Sequence, residues 1–168
     1  MADLEIREIR KDDAAAISAA FTAIGWDKPA TQYDGYAAEQ QVGTRDVLVA
    51  TLDGVFAGYL TIRWRSPYAP FAEHGIPEIQ DFNVLPQYRR RHIGTRLMDL
   101  AEQRVARRCK TVGIGVGMYA DYGDAQRLYL LRGYVPDGRG LTYRGEVLPP
   151  MASATNVDDL VLFFTKAL

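Results

Sequence analysis

Apolar and charged residues alternate along "LEIREI" near the start of the chain, the two-residue period of a half-buried strand. The period then lengthens. In "KDDAAAISAAFTAI", Ile17, Ala20, Phe21 and Ile24 recur at helical spacing; Asp12 or Asp13 can cap that helix and Gly25 stops it. "PATQYDGYAAEQQ" reads as a weaker helix, opened by Pro29 and interrupted by Gly35. "DVLVATLDGVFAGYLTIRWRS" holds two β-branched runs joined by Asp53-Gly54, the signal of a hairpin with a type I′ turn. A loop, "PYAPFAEHGIP", leads to a strand, "EIQDFNVLP", that Pro86 ends. The next helix sets Ile93, Leu97, Leu100, Ala101 and Val105 on one face. "KTVGIGVGMY" is a strand, "GDAQRLYLLRGY" a short helix ending at Gly133, and "GLTYRGEV" and "DDLVLFFTKA" are two final strands.

Strands alternating with helices in mid-chain, with antiparallel hairpins toward both ends, indicate an α/β fold with a mixed sheet and helices on its faces. No repeat, low-complexity tract or linker divides the sequence, so residues 1–168 are expected to form one domain. With 48% hydrophobic residues, a chain of 168 can bury a core without disulfides. Its net charge of −1 gives no global reason to bind nucleic acid or an anionic membrane, so any electrostatic function must be local. Cys109 is the only cysteine, which fits a reducing compartment. "MADLEIREIRKDD" lacks the apolar segment of a signal peptide, and "LVLFF" is too short to span a bilayer. A soluble, cytoplasmic protein is the expectation.

Local charge is concentrated in "QYRRRHIGTRLMDLAE", where three arginines and a histidine precede a helix. The unpaired N–H groups and dipole of a helix start already favour negative charge. Cations stacked there oppose the helix unless an anion sits among them. Backbone N–H groups converge at such a strand-to-helix junction, small residues such as Gly94 and Thr95 allow close approach, and arginines add charge-assisted bonds. The sequence therefore asks for a phosphate. A solvated basic patch is the alternative reading of the run alone.

The junction resembles the pyrophosphate-binding motif of the GNAT superfamily of N-acetyltransferases, Gln/Arg-x-x-Gly-x-Gly/Ala, which falls on Arg89, Arg90, Arg91, His92, Ile93 and Gly94. His92 stands at the usual first glycine, a departure that requires the position to need no positive φ. "AQRLYLLRGY" is similar to a second block of that family, Ala-x-x-Leu-Tyr-x-x-x-Gly-Phe/Tyr. The resemblance implies an acyl-CoA N-acyltransferase fold, with a mixed, mostly antiparallel sheet of about six to seven strands. It also implies acetyl-CoA as co-substrate, its diphosphate on the backbone of Arg90 to Thr95 beside Arg89. Its pantetheine arm would pair with Phe82, Asn83 and Val84 like an added strand. Ala125 joins the cofactor set, and Tyr129 matches the family's general acid. A tyrosine with a pKa of roughly 10 keeps its proton at neutral pH. The family often has an asparagine where Tyr122 stands, so that contact is not carried over.

A base must take a proton from the acceptor ammonium. Glu78 is the first candidate: strand alternation places Glu78, Gln80, Phe82 and Val84 on one face, and its distance from Arg89 matches a glutamate that some family members use. Asp81, on the opposite face, is second, and a water relay is the third route. The backbone N–H of Val84 is the candidate oxyanion donor. His74 and His92, without acidic or cysteine partners at ligand spacing, make no metal site. "GVGMYA" fits a dinucleotide fingerprint formally, but "DYGD" breaks the required helix, and its glycines are expected to leave room beside the cofactor. Arg104, Arg107 and Arg108 suit the C-terminal end of the long helix for dipole reasons. The loops "RSPYAPFAEHGIP" and "RGEVLPPMASATNVDD" are expected to border the acceptor pocket, where Tyr68, Phe71, Glu73 and Glu146 can hold a cationic amine. The expected partner is therefore a small-molecule or peptide amine, with no nucleic acid and no membrane. Dimerisation is common in the family, and the "LVLFF" strand can contribute to a homodimer. A non-catalytic acyl-CoA sensor on the same fold is the alternative function.

Overall fold

The Asp53-Gly54 turn has left-handed backbone at both positions, φ 50° and 77°, as a type I′ hairpin requires. It joins β2 (Arg45–Leu52) to β3 (Val55–Arg63), and β1 (Leu4–Glu8) pairs antiparallel with the outer side of β2. The computed structural model describes residues 3–168; Met1 and Ala2, the first two positions of the charged start, lie outside the described residues. The chain forms two compact units. One comprises the described residues up to Trp64 with Gln80–Arg104, the other Arg65–Ile79 with Val105–Leu168.

In the first unit, α1 (Asp13–Thr22) and α2 (Ala30–Gln41) cover an apolar core of Ile17, Phe21, Tyr33, Val47, Val49, Phe56, Tyr59 and Leu85. Asp13 ties the start of α1 down. Its carboxylate takes two bonds from the Arg7 guanidinium, 2.7 and 2.8 Å, and one from the Arg10 N–H, 2.6 Å, whereas Asp12 caps with no side-chain bond. Gly25 (φ 78°) ends α1 in a Schellman turn: Trp26 N–H returns to Phe21 O, 3.0 Å, and the two rings stack at 5.8 Å. Gly35 does not interrupt α2, because one glycine costs a helix only about 1 kcal/mol and packing of Tyr33 outweighs it. The unit also holds the later part of β4 (Glu78–Val84) and the start of α4 (Ile93–Ala106). On α4 the buried residues are Ile93, Leu97, Met98, Ala101 and Val105; Leu100 is 36% exposed, and Met98 takes the core position expected of it.

The second unit contains α3 (Ala69–Glu73), a single turn inside the expected loop, and α5 (Gly123–Leu131). Its strands are β5 (Thr111–Gly117), β6 (Val135–Tyr143), β7 (Glu146–Val147) and β8 (Leu160–Ala167). β4 starts here, parallel to β5, with Glu78 opposite Gly113 and Ile79 opposite Ile114. β8 lies antiparallel between β5 and β6. "GLTYRGEV" is a hairpin rather than one strand: Arg144 (φ 53°) and Gly145 (φ 84°) turn β6 into β7. With β4 shared, the strand order is β1-β2-β3-β4-β5-β8-β6-β7, mixed and mostly antiparallel as expected, with eight strands instead of six or seven. Among the described residues no helix is long and apolar enough to cross a membrane.

Candidate functional site

Gly58 of β3 is where the first unit makes room for the end of β4. A Cβ there would stand 2.5 Å from the Asn83 carbonyl oxygen and 3.0 Å from Val84 Cα, so no side chain fits against that backbone. Leu85 then anchors the chain, fully buried, with its N–H bonded to Ala57 O at 2.9 Å. Pro86 opens one 3₁₀ turn through Tyr88, and Arg89 follows in extended conformation, its Nε donating to Val84 O at 3.2 Å. Arg89 thus holds the turn against the strand it leaves.

Arg90 and His92 both have left-handed backbone, φ 64° and 59°, with Arg91 between them outside that region. Such alternation turns successive N–H groups toward one point and forms an anion-binding nest. For side-chain-bearing residues it costs about 1–2 kcal/mol each, and strain of this kind concentrates where function uses it. The expectation that His92 needs no positive φ is therefore corrected: the histidine adopts the conformation that the family's glycine takes freely. His92 O accepts the first bond of α4 from Arg96 N–H, 3.0 Å, leaving the N–H groups of Ile93, Gly94 and Thr95 without helical partners. The first turn of α4 carries no acidic residue, and Arg90, Arg91 and His92 are exposed. Nothing on this helix start neutralises its positive field. Gly94 has a second reason: its missing Cβ would lie 2.9 Å from the Phe82 ring, so the glycine seats a β4 side chain as well as an open backbone.

Asp81 breaks the expected strand alternation. Its φ of 51° puts a left-handed residue in β4, so the two-residue period cannot be carried from Glu78 to Phe82. Asp81 is exposed and accepts a hydrogen bond from Tyr36 Oη. Around it the sequence reading missed a network. Arg45, buried at the start of β2, stacks its guanidinium 4.4 Å over the Tyr36 ring and donates to Glu39 (2.5 Å), Thr61 (2.7 Å) and Gln80 (3.4 Å). Tyr33 packs edge-on against Tyr59 at 5.4 Å and against Tyr36 at 6.0 Å. The hydroxyls of Tyr33 and Tyr59 are buried with no hydrogen-bond partner. Burial, reinforced by the Asp81 charge, pushes Tyr33 up to about 12 and Tyr36 and Tyr59 higher still. Tyr33 and Tyr36 at i, i+3 on α2 were the available signal. Arg104 also departs from expectation: it reaches Glu8 at 2.6 Å and Asp46 at 3.2 Å instead of serving only the dipole of α4.

In the second unit Glu78 is 5% exposed and accepts a bond from Ser66 Oγ, which itself takes the Tyr68 N–H at 3.0 Å. Tyr129 is also 5% exposed. Gly133 (φ 86°) closes α5 in a Schellman turn, with Tyr134 N–H on Tyr129 O at 3.0 Å and the two rings 5.9 Å apart. Burial alone drives the Tyr129 phenol well above the usual tyrosine range. Ala125 lies one helical turn earlier, partly exposed. Tyr122, at the family's asparagine position, donates to Asp158 at 2.9 Å together with Tyr119.

The β5 glycines do not leave room beside a cofactor. Added Cβ atoms would lie 2.2 Å from the Phe71 ring at Gly113, 2.8 Å from Val161 at Gly115, and 2.3 Å from the Tyr122 ring at Gly117. They seat side chains of their own unit. Tyr68 and Phe71 likewise belong to a core cluster, with Tyr68 stacked on Phe163 at 3.8 Å, while Glu73 and Glu146 are exposed. Their residue types suggested a pocket because aromatic side chains look alike in sequence whether they face substrate or core. Among the described residues no metal-holding group of His, Cys, Asp or Glu occurs.

The structure is similar to a GNAT-family acetyltransferase from Streptococcus pneumoniae, TM-score 0.71, 19% identical, covering 99% of each chain. A Salmonella typhimurium structure solved with its cofactor acetyl-CoA has TM-score 0.69 and 18% identity, over 98% of this chain and 93% of that one. Another from Salmonella typhimurium, which modifies the N-terminal serine of ribosomal protein L7/L12, has TM-score 0.71 and 13% identity, over 98% and 95%. No curated protein matches the chain. At these identities the likeness establishes the fold. The model of the acetyltransferase (GNAT) family matches residues 7–134, from β1 to the turn that closes α5, and the chain therefore belongs to that family of acetyltransferases.

Proposed function

We propose that the protein transfers acetyl from acetyl-CoA to the primary amine of a small molecule or peptide by direct attack of nitrogen on the thioester. The observation that carries this reading is the alternating left-handed backbone at Arg90 and His92, directly before a helix start with no acid in its first turn. A diphosphate matches that cradle in charge and in its number of acceptor oxygens. The residues that would hold it are Arg90 to Thr95, with Arg89 bracing the turn; Phe82, Asn83 and Val84 would pair with the pantetheine arm, and Ala125 would lie beside it. Bound acetyl-CoA supplies an activated acyl group.

The chain's own residues then perform four tasks. Val84 N–H donates to the carbonyl oxygen as it gains charge. Glu78, or a water held by it, removes the proton from the acceptor ammonium, with Asp81 the second candidate. Ser66 fixes one oxygen of the Glu78 carboxylate and so orients the other. Tyr129, kept protonated by burial, gives its proton to the thiolate released when the C–S bond breaks. The Salmonella enzyme that acts on a protein N-terminus supports an amine acceptor for this architecture. The test is thiol release from acetyl-CoA across primary amines, including peptide N-termini. Amine-dependent thiol release is expected; tight coenzyme A binding with no turnover on any amine would replace this reading with that of a sensor.

A further inference from the structure

We infer that Asp81, with the hydroxyls of Tyr33 and Tyr59 beside it, is the binding site for the ammonium group of a cationic amine acceptor. The inference rests on the acetyl-transfer reading and names its acceptor class. An unbonded buried hydroxyl costs roughly 1–3 kcal/mol, and phenylalanine would fill the same space without it. Tyr33 and Tyr59 are both fully buried and both carry such a hydroxyl. The negative charge of Asp81 acts on each of these phenols and on Tyr36, which places the carboxylate among them. Asp81 itself is exposed, sits in left-handed backbone inside a strand, and holds Tyr36 Oη.

The nearby cation does not neutralise it. Arg45 spends its guanidinium on Glu39, Thr61, Gln80 and the Tyr36 face, and among the described residues no ion pair joins it to Asp81. What remains is one carboxylate and two phenol oxygens able to accept hydrogen bonds. An alkylammonium carries three N–H donors and no acceptor, so it matches that set in number and sign. Aromatic edges and faces around it add the desolvated environment in which a paired cation gains most. An acidic or neutral acceptor lacks the complement to Asp81 and leaves the hydroxyls unmatched.

The test is a titration of the full chain, carrying ¹³C-labelled tyrosine, with n-butylammonium and with 1-butanol. Saturable shifts of Tyr33, Tyr36 and Tyr59 are expected with the ammonium and not with the alcohol. Asp81→Asn should weaken ammonium binding at least tenfold; asparagine tolerates the left-handed backbone, so the fold is kept. In the thiol-release assay the same variant should raise KM for alkylamines at least tenfold, with kcat and its pH profile unchanged. Tyr59→Phe, which deletes only an unbonded hydroxyl, should weaken ammonium binding severalfold and covers a failure of Asp81→Asn to fold. Equal shifts with butanol, no saturable shift, or unchanged affinity in both variants would overturn the inference. Coenzyme A titrated into the same samples separates the two ideas: its binding judges the acetyl-transfer reading, whatever the ammonium does.

Discussion

Replacing His92 by glycine and, separately, by alanine isolates the backbone of the Arg90–His92 nest. Both changes remove the imidazole; they differ only in how each residue tolerates φ 59°. Left-handed backbone costs alanine about 1–2 kcal/mol relative to its preferred regions. Glycine avoids that cost but loses about 0.5–1 kcal/mol through its freer unfolded chain. The net advantage of glycine is therefore about 1 kcal/mol. Where this appears depends on when the turn forms. If it is fixed in the free protein, the glycine variant melts about 2–4 °C higher than the alanine variant. If the turn sets only around the ligand, the glycine variant binds coenzyme A about fivefold more tightly. Thermal melts and calorimetry with coenzyme A, run on both variants, must together account for the whole difference. Two folded variants equal in both measurements would refute the reasoning, since the left-handed turn would then be neither held nor used.

Tyr129→Phe should lower kcat by about 10²-fold or more if the phenol is the proton donor. Coenzyme A affinity and melting temperature should change little, because the ring still packs on Tyr134; full turnover would remove the assignment. Folding raises the phenols of Tyr33, Tyr36, Tyr59, Tyr68, Tyr122 and Tyr129 above the ordinary 10.0, so the native state keeps protons that the unfolded chain releases. Their contribution to stability is complete below pH 10.0 and falls as pH rises beyond it toward the folded values. Tyrosinate absorbance at high pH should accordingly lag behind that of free tyrosine and rise together with loss of circular dichroism. Six phenols titrating freely in a folded chain would contradict their burial. Gly58→Ala should destabilise the protein by about 1–3 kcal/mol and weaken coenzyme A binding, because the atom it meets is the Asn83 backbone. Gly117→Ala meets only the Tyr122 ring and should cost stability alone.

The elements legible in the sequence were those with a strong period or a diagnostic turn. The Asp53-Gly54 hairpin, the apolar stripe of α4 and the Gly133 stop each rest on local chemistry, and each is where it was expected. β7 was missed because Arg144-Gly145 hides a turn inside what reads as one strand, and arginine is not a residue that announces left-handed backbone. Asp81 hid in the same way within β4, and with it the side-chain alternation on which Glu78 and Phe82 were aligned. The anion site was legible from charge placed at a helix start. Its geometry was not, since neither Arg90 nor His92 signals positive φ. The Tyr33–Tyr59–Asp81 cluster joins α2, β3 and β4, and no local pattern reports a meeting of residues so far apart in the chain.

The central claim is that the backbone from Arg90 to Thr95 grips a diphosphate. The direct measurement follows the amide resonances of this stretch in ¹⁵N-labelled protein titrated with coenzyme A and, in parallel, with pantetheine, which lacks the diphosphate. Saturable shifts at Arg90 to Thr95 with coenzyme A, and none there with pantetheine, are the predicted result. Coenzyme A that binds while these amides stay unmoved, or that does not bind at all, would contradict the account.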